Sequence, residues 1–176
     1  MALYHFSEDP GIERFVPHIA KTSHIQREAF VWAIDDWHAP MYAVPRDCPR
    51  ACFWSGPHTT PEDRDRWFDY VNARFVVAIE TEWLARLRAT RLYRYVMPEE
   101  GFEPADRTAG HWVARTPVVP LRVEPMTDLL AVMTDAAVEL RVTPRLGPLW
   151  RRVRRTSLEF SGTRLRNAKG FPEEFD

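Results

Sequence analysis

No segment of this chain keeps one hydrophobic period for long. Apolar runs of strand length recur at residues 2–6, 29–34, 51–54, 75–79, 92–97, 111–115, 118–123 and 138–142, with another at 157–161. Pro, Gly, Asp and Ser clusters punctuate them. Helix-period stretches separate only some of these runs. Ser7-Glu8-Asp9-Pro10-Gly11-Ile12 reads as a capped turn opening a short helical segment toward Phe15, and Asp35 or Asp36 caps a helix over 38–44 with Pro40 in its first turn. Further helices are expected over 62–70, over 82–88 with Trp83, Leu84 and Leu87 on one face, from Thr127 or Asp128 through 135, and over 146–155. Short strands without regular strand–helix alternation do not wind into a parallel sheet. They predict an α+β fold, a small split mixed or antiparallel sheet carrying short helices.

At 176 residues the expected organisation is one globular α+β domain over 1–168 and a polar tail over 169–176. A net charge of −1 supplies no sustained basic field, which makes nucleic acid an unlikely partner. Of the 24 basic residues only Lys21 and Lys169 are lysine, which reads as coding bias rather than a demand for guanidinium chemistry. No apolar run approaches the ~18 residues that span a bilayer, and no leader pattern opens the chain, so no membrane partner and a cytoplasmic location are expected. Cys48 and Cys52 lack the second ligand pair of a structural zinc site; no metal is expected, and both read as buried or half-buried thiols. Gly-rich dinucleotide, P-loop, Gly-x-Ser-x-Gly and His-Glu-x-x-His motifs are all missing.

Several constellations remain. Leu3-Tyr4-His5 brings a histidine to the end of the first strand, where an imidazole fixed through one ring nitrogen presents the other to a ribose or phosphate. Asp35, Asp36, Trp37, His38 and Tyr42 cluster after the second strand, with His38 and Tyr42 four residues apart on one helical face. Arg46 and Arg50 lie in a Pro-constrained loop that suits a phosphate or carboxylate. Glu99, Glu100, Glu103 and Asp106 form the dense acidic group after a strand. His111, Trp112 and Arg115 share one strand, whose alternation sends His111 and Arg115 to one face and Trp112 to the other. Arg151, Arg152, Arg154 and Arg155, with Arg164 and Arg166 beyond and Trp150 beside them, make the strongest basic patch. A solvated helix face is its ordinary reading.

Tyr4-His5-Phe6-Ser7-Glu8-Asp9-Pro10-Gly11-Ile12, Ala33-Ile34-Asp35 and Pro45-Arg46-Asp47-Cys48-Pro49-Arg50 resemble the hallmarks of an uncharacterised bacterial family of unknown function. The similarity extends through 92–102 and 157–168. A more distant resemblance is to the ADP-ribosyltransferase-like fold, whose opening is similar to Leu3-Tyr4-His5 followed by a turn. That resemblance implies NAD as substrate, a first-strand histidine on the NAD ribose, an aromatic ring stacked on nicotinamide, and usually a glutamate on a later strand. The chain departs from this pattern at the glutamate: His111-Trp112-Val113 offers none, and Glu99, Glu100 and Glu103 fall in a loop.

The expected function is therefore that of a NAD- or nucleotide-binding, ADP-ribosyltransferase-like protein of unknown acceptor, a protein being one candidate. His5, Tyr42 and Glu99 are its candidate catalytic residues, and Tyr4, His5, Trp32, His38, Tyr42, Arg46 and Arg50 its candidate binding residues. Two alternatives stand beside it. One is a non-enzymatic module for a protein or small anionic ligand, and the other an RNA-end-processing enzyme with arginines on phosphates.

Overall fold

The computed structural model describes residues 1–19, 28–68 and 72–170. Its strands are β1 Leu3–Ser7, β2 Val31–Asp35, β3 Arg50–Trp54, β4 Phe75–Glu80, β5 Leu92–Met97, β6 Phe102–Asp106, β7 His111–Ala114, β8 Arg122–Met126, β9 Val138–Thr143 and β10 Glu159–Thr163. Helices α1 Pro61–Phe68, α2 Leu84–Ala89, α3 Leu129–Asp135 and α4 Leu146–Val153 accompany them, with 3-10 turns at Ala39–Tyr42, Thr81–Trp83 and Leu165–Asn167. The chain is α+β, and its strands divide between two sheets. Each sheet belongs to one compact unit: Met1–Tyr42 with Arg91–Thr127, and Ala43–Thr90 with the chain from Asp128 onward.

The first unit is a six-stranded antiparallel sheet in the order β6-β7-β2-β1-β5-β8. Successive side chains alternate between its faces. Leu3, Val31, Ala33, Tyr95, Met97 and Ala114 face one way and form a core with Phe15 and Val118 laid over it. Burying a side chain of Leu or Val size contributes about 1.5–3 kcal/mol, so a one-residue slip that turned this set outward is strongly disfavoured. The register thereby fixes what the opposite face carries: Tyr4, Phe6, Trp32, Arg94 and His111.

The second unit holds a mixed four-stranded sheet, β10-β3-β4-β9, in which β4 and β9 run parallel. From Phe75 to Ile79 every residue of β4 is fully buried, which explains its unbroken apolar run. Ala51 and Ala78 leave room for Leu146 and Trp150 of α4, while Phe53 and Val76 meet Trp67 and Phe68 of α1 and Val153 of α4. Strand β4 ends on Glu80, whose carboxylate accepts the Leu146 N–H at 2.9 Å and the Lys169 N–H at 2.9 and 3.1 Å. The N-cap residue of α4, Arg145, offers no side-chain cap, and Glu80 serves the helix N-terminus in its place.

Several expected elements differ. The helical segment from Ser7 toward Phe15 is absent, because side chains take the backbone groups a helix needs. Gly11 N–H donates to Asp9 Oδ1, Ile12 N–H to the Tyr95 hydroxyl, and that hydroxyl to Asp9 O. The acidic stretch 98–107, read as a loop, contains β6. Gly101 turns the chain at φ +83°, and the exposed edge strand that follows carries Pro104 and a register shift that hide its period. The strand expected over 118–123 is displaced to Arg122–Met126, since Pro117 and Pro120 interrupt the run and Val118 instead makes an isolated bridge to Phe15. Between Asp35 and Pro45 the helix expected over 38–44 is a single 3-10 turn. Positions 69 and 70 of the expected helix 62–70 and 171–176 of the expected tail lie outside the described residues, as do residues 20–27 and 71. No helix among the described residues is long and apolar enough to cross a membrane.

Candidate functional site

Strand β2 ends on Asp35, and the chain leaves it through Asp36, Trp37 and His38. Asp35 Oδ1 accepts the backbone N–H of His38 at 2.8 Å and the His38 ring Nδ1–H at 2.7 Å. The first bond is an aspartate-built turn, which is why the strand stops here. The second sets the tautomer: a carboxylate only accepts, so the proton sits on Nδ1. His38 is buried. Burial by itself pushes the Asp35 carboxyl up, but the hydrogen bonds and charge of His38, with a hydrogen bond from the Trp37 backbone, outweigh it and hold the group below its ordinary value.

A carboxyl depressed in the folded state stabilises that state above its unfolded pKa and loses the contribution as pH falls through the folded one. The stability advantage of the native protein over Asp35→Asn is therefore level through neutral pH and shrinks below about pH 4. Urea melts of the two proteins at a series of pH values check this. An advantage that grew on acidification would contradict it.

Gly110 closes the arrangement. Its carbonyl accepts the Asp35 N–H at 3.0 Å, and its backbone stands at φ +71°. A Cβ at this position would overlap His38 Nδ1 and stand 2.8 Å from Asp35 Oδ2, so only glycine lets the imidazole lie here. The next residue, His111, opens β7 opposite Ile34 and brings its Nε2 to 2.8 Å from the Tyr42 hydroxyl. The Tyr42 ring stacks on Phe6 with centroids 6.0 Å apart, and Trp32 meets His111 edge to face at 5.9 Å. The Trp37 ring lies 4.4 Å from that of His38 and is 36% exposed, which leaves an indole at the surface of the cluster.

Of the residues expected from the sequence, Trp32, His38 and Tyr42 come together here, the last two through the intervening Gly110 and His111. His5 does not join them. It projects to the Phe15 side of the sheet, with its ring 4.6 Å from Phe15 and its Nδ1–H donating to Trp32 O at 2.8 Å. Tyr4 lies on the Phe6 face beneath the Arg94 guanidinium, 4.9 Å from its ring. Glu99 is exposed ahead of β6 and accepts the Met1 amine at 3.2 Å. Arg46 and Arg50 belong to the second unit. Arg46 is exposed, and Arg50 is buried with Nη1 donating to Cys48 O at 3.3 Å. Burial pushes the Cys48 and Cys52 thiols up to about 12, so both are protonated and poor nucleophiles at neutral pH.

Sequence reading left His111 apart from Tyr42, and it gave Trp37 no role of its own. Sixty-nine residues separate the hydrogen-bonded pair, a distance that only the β2/β7 register closes. The available signal was a glycine immediately before a strand that opens on histidine.

Chemically, the Asp35/His38 pair is a carboxylate-oriented imidazole of the kind that carries protons, and the Tyr42/His111 pair is a second proton-sharing couple. Among the described residues no group of three His, Cys, Asp or Glu side chains gathers as a metal site would require. Comparison with curated proteins and with solved structures returns no match. Residues 4–168 match the family of unknown function DUF6886, and the chain belongs to that family.

Proposed function

We propose that the first unit binds NAD or a related nucleotide at the Asp35, Trp37, His38, Tyr42 and His111 cluster, as an ADP-ribosyltransferase-like protein with a protein acceptor. The observation that carries this reading is the exposed Trp37 ring beside an imidazole already fixed by Asp35. Trp37 supplies the stacking face. Tyr42, whose ring already packs on Phe6 and against His111, supplies a hydroxyl rather than a platform. His111 and Tyr42 bond the polar edge of the ligand, and His38 moves the proton. His5 braces β1 against β2 from the other face of the sheet.

Calorimetric titration of NAD tests the reading. Trp37→Ala weakens binding by the ~1–3 kcal/mol that stacking a base on an aromatic ring contributes, roughly five- to 150-fold. His38→Ala weakens it as well, with both folds intact by circular dichroism. Wild-type protein that takes up no NAD, or variants that match it, would overturn the proposal.

A second reading, a binding module without chemistry, draws on Glu99. The one acid assigned a catalytic role from the sequence is exposed and engaged with the Met1 amine. Binding of NAD with no release of nicotinamide on prolonged incubation favours the module, and release favours the transferase.

A further inference from the structure

A second polar site lies in the other unit, formed without any residue of the cluster just described. Helices α1 and α4 flank a cleft of about 340 Å³, into which Arg66, Arg151, Arg152 and Arg155 converge. All four arginines are exposed, and among the described residues none is held in an ion pair. The one carboxylate on the lining, Asp63, is turned away to Ser157, whose N–H and hydroxyl both donate to Asp63 Oδ2 at 2.6 Å. Those bonds, with a smaller attraction from the Arg66 guanidinium, hold its carboxyl below the ordinary range, so one negative charge stands against four positive ones on the lining. The Thr156 hydroxyl is likewise engaged, donating to Val153 O at 2.7 Å.

Basic residues near a helix C-terminus complement its dipole, and Arg66, Arg151 and Arg152 each lie in a last turn. That accounts for their presence on each helix separately, but not for two helices turning them into one cleft, where like charges repel. Trp67, 7% exposed, completes the wall, and its indole Nε1 is buried with no acceptor among the described residues. Four exposed guanidiniums against a single carboxylate leave the lining with a net positive charge that favours an anion.

We propose that this cleft binds a small oligophosphate, of the diphosphate or triphosphate class, through the forks of Arg66, Arg151, Arg152 and Arg155. Several planar forks converging on one cleft fit several phosphoryl groups better than a single one. A single-stranded nucleic acid fits less well. The Trp67 ring already has the Arg152 guanidinium 5.6 Å from its centroid and Phe53 packed at 5.3 Å, so it offers no stacking platform for bases.

The test is calorimetric titration of inorganic pyrophosphate and tripolyphosphate into wild-type protein and Arg151→Ala/Arg155→Ala, two exposed positions whose loss spares the core. Wild-type protein binds both anions, tripolyphosphate more tightly. The double variant binds them about tenfold or more weakly, the loss expected when charge-assisted hydrogen bonds are removed. Trp37→Ala leaves this binding unchanged, which separates the cleft from the proposed nucleotide site even though NAD carries a diphosphate of its own. Any of three results would overturn the proposal: no uptake by the wild type, equal uptake by the double variant, or sulfate binding as tightly as pyrophosphate. Tighter binding of a ten-nucleotide single strand, lost in the same variant, would also overturn it in favour of a nucleic-acid surface.

Discussion

Replacing Gly110 with alanine lowers the stability of the protein by about 2–4 kcal/mol, which combines the cost of a left-handed backbone at an L-residue with that of forcing a methyl into packed space. The space is that of the His38 ring and the Asp35 carboxylate. The same substitution at Gly101 is the internal control: its φ is +83°, but nothing lies within 4 Å of an added Cβ, so it costs only the backbone contribution of about 1–2 kcal/mol. Denaturant melts of the two variants read the difference. Equal losses would mean that His38 does not occupy the place the structure gives it. Because the extra methyl displaces the imidazole from Asp35, Gly110→Ala also weakens NAD uptake, whereas Gly101→Ala does not.

Glu80→Ala is the other large effect, a loss of about 3–5 kcal/mol. The Glu80 carboxylate is 1% exposed and receives two backbone N–H groups from distant parts of the second unit, those of Leu146 and Lys169. Truncation removes both charge-assisted bonds and leaves two donors without an acceptor where water does not easily reach. Glu80→Gln keeps one acceptor oxygen and loses less. Asp128, the exposed cap of α3, accepts a single N–H from Ala131, and its change to alanine costs only about 1 kcal/mol. A melt in which Glu80→Ala loses no more than Asp128→Ala would show that α4 does not depend on β4 for its cap.

The interior strands were legible because their apolar runs are short, continuous and bounded by turn residues. Phe75–Glu80 and Leu92–Met97 fall within a residue of where the pattern puts them. The α3 cap was equally plain, since Asp128 accepts the Ala131 N–H as its position implies. What stayed hidden lies where side chains or edges overrule the pattern. Nothing in residues 7–15 announces that Tyr95, more than eighty positions away, satisfies their backbone, and an edge strand built from Phe102, Glu103, Pro104, Ala105 and Asp106 looks like a loop because it is adapted to face solvent.

The candidate site was half legible. Asp35, Trp37, His38 and Tyr42 are close in sequence and stay close in space. His5 was prominent in sequence, but the strict alternation of β1 sends it to the face opposite Phe6 and Tyr42. His111 enters through the pairing of β7 with β2, which depends on the register of a whole sheet rather than on any local motif. Gly110 carries the most specific message of the group, a glycine needed because an imidazole lies against it.

The most direct test of a nucleotide site at this cluster is a histidine-selective NMR titration with NAD, following the ring resonances of His5, His38 and His111 in one sample. Movement of His38 and His111 along a common saturation curve, with His5 moving little and the curve abolished in Trp37→Ala, is the predicted result. Saturable movement of His5 alone, or no movement of any ring at millimolar NAD, would contradict it.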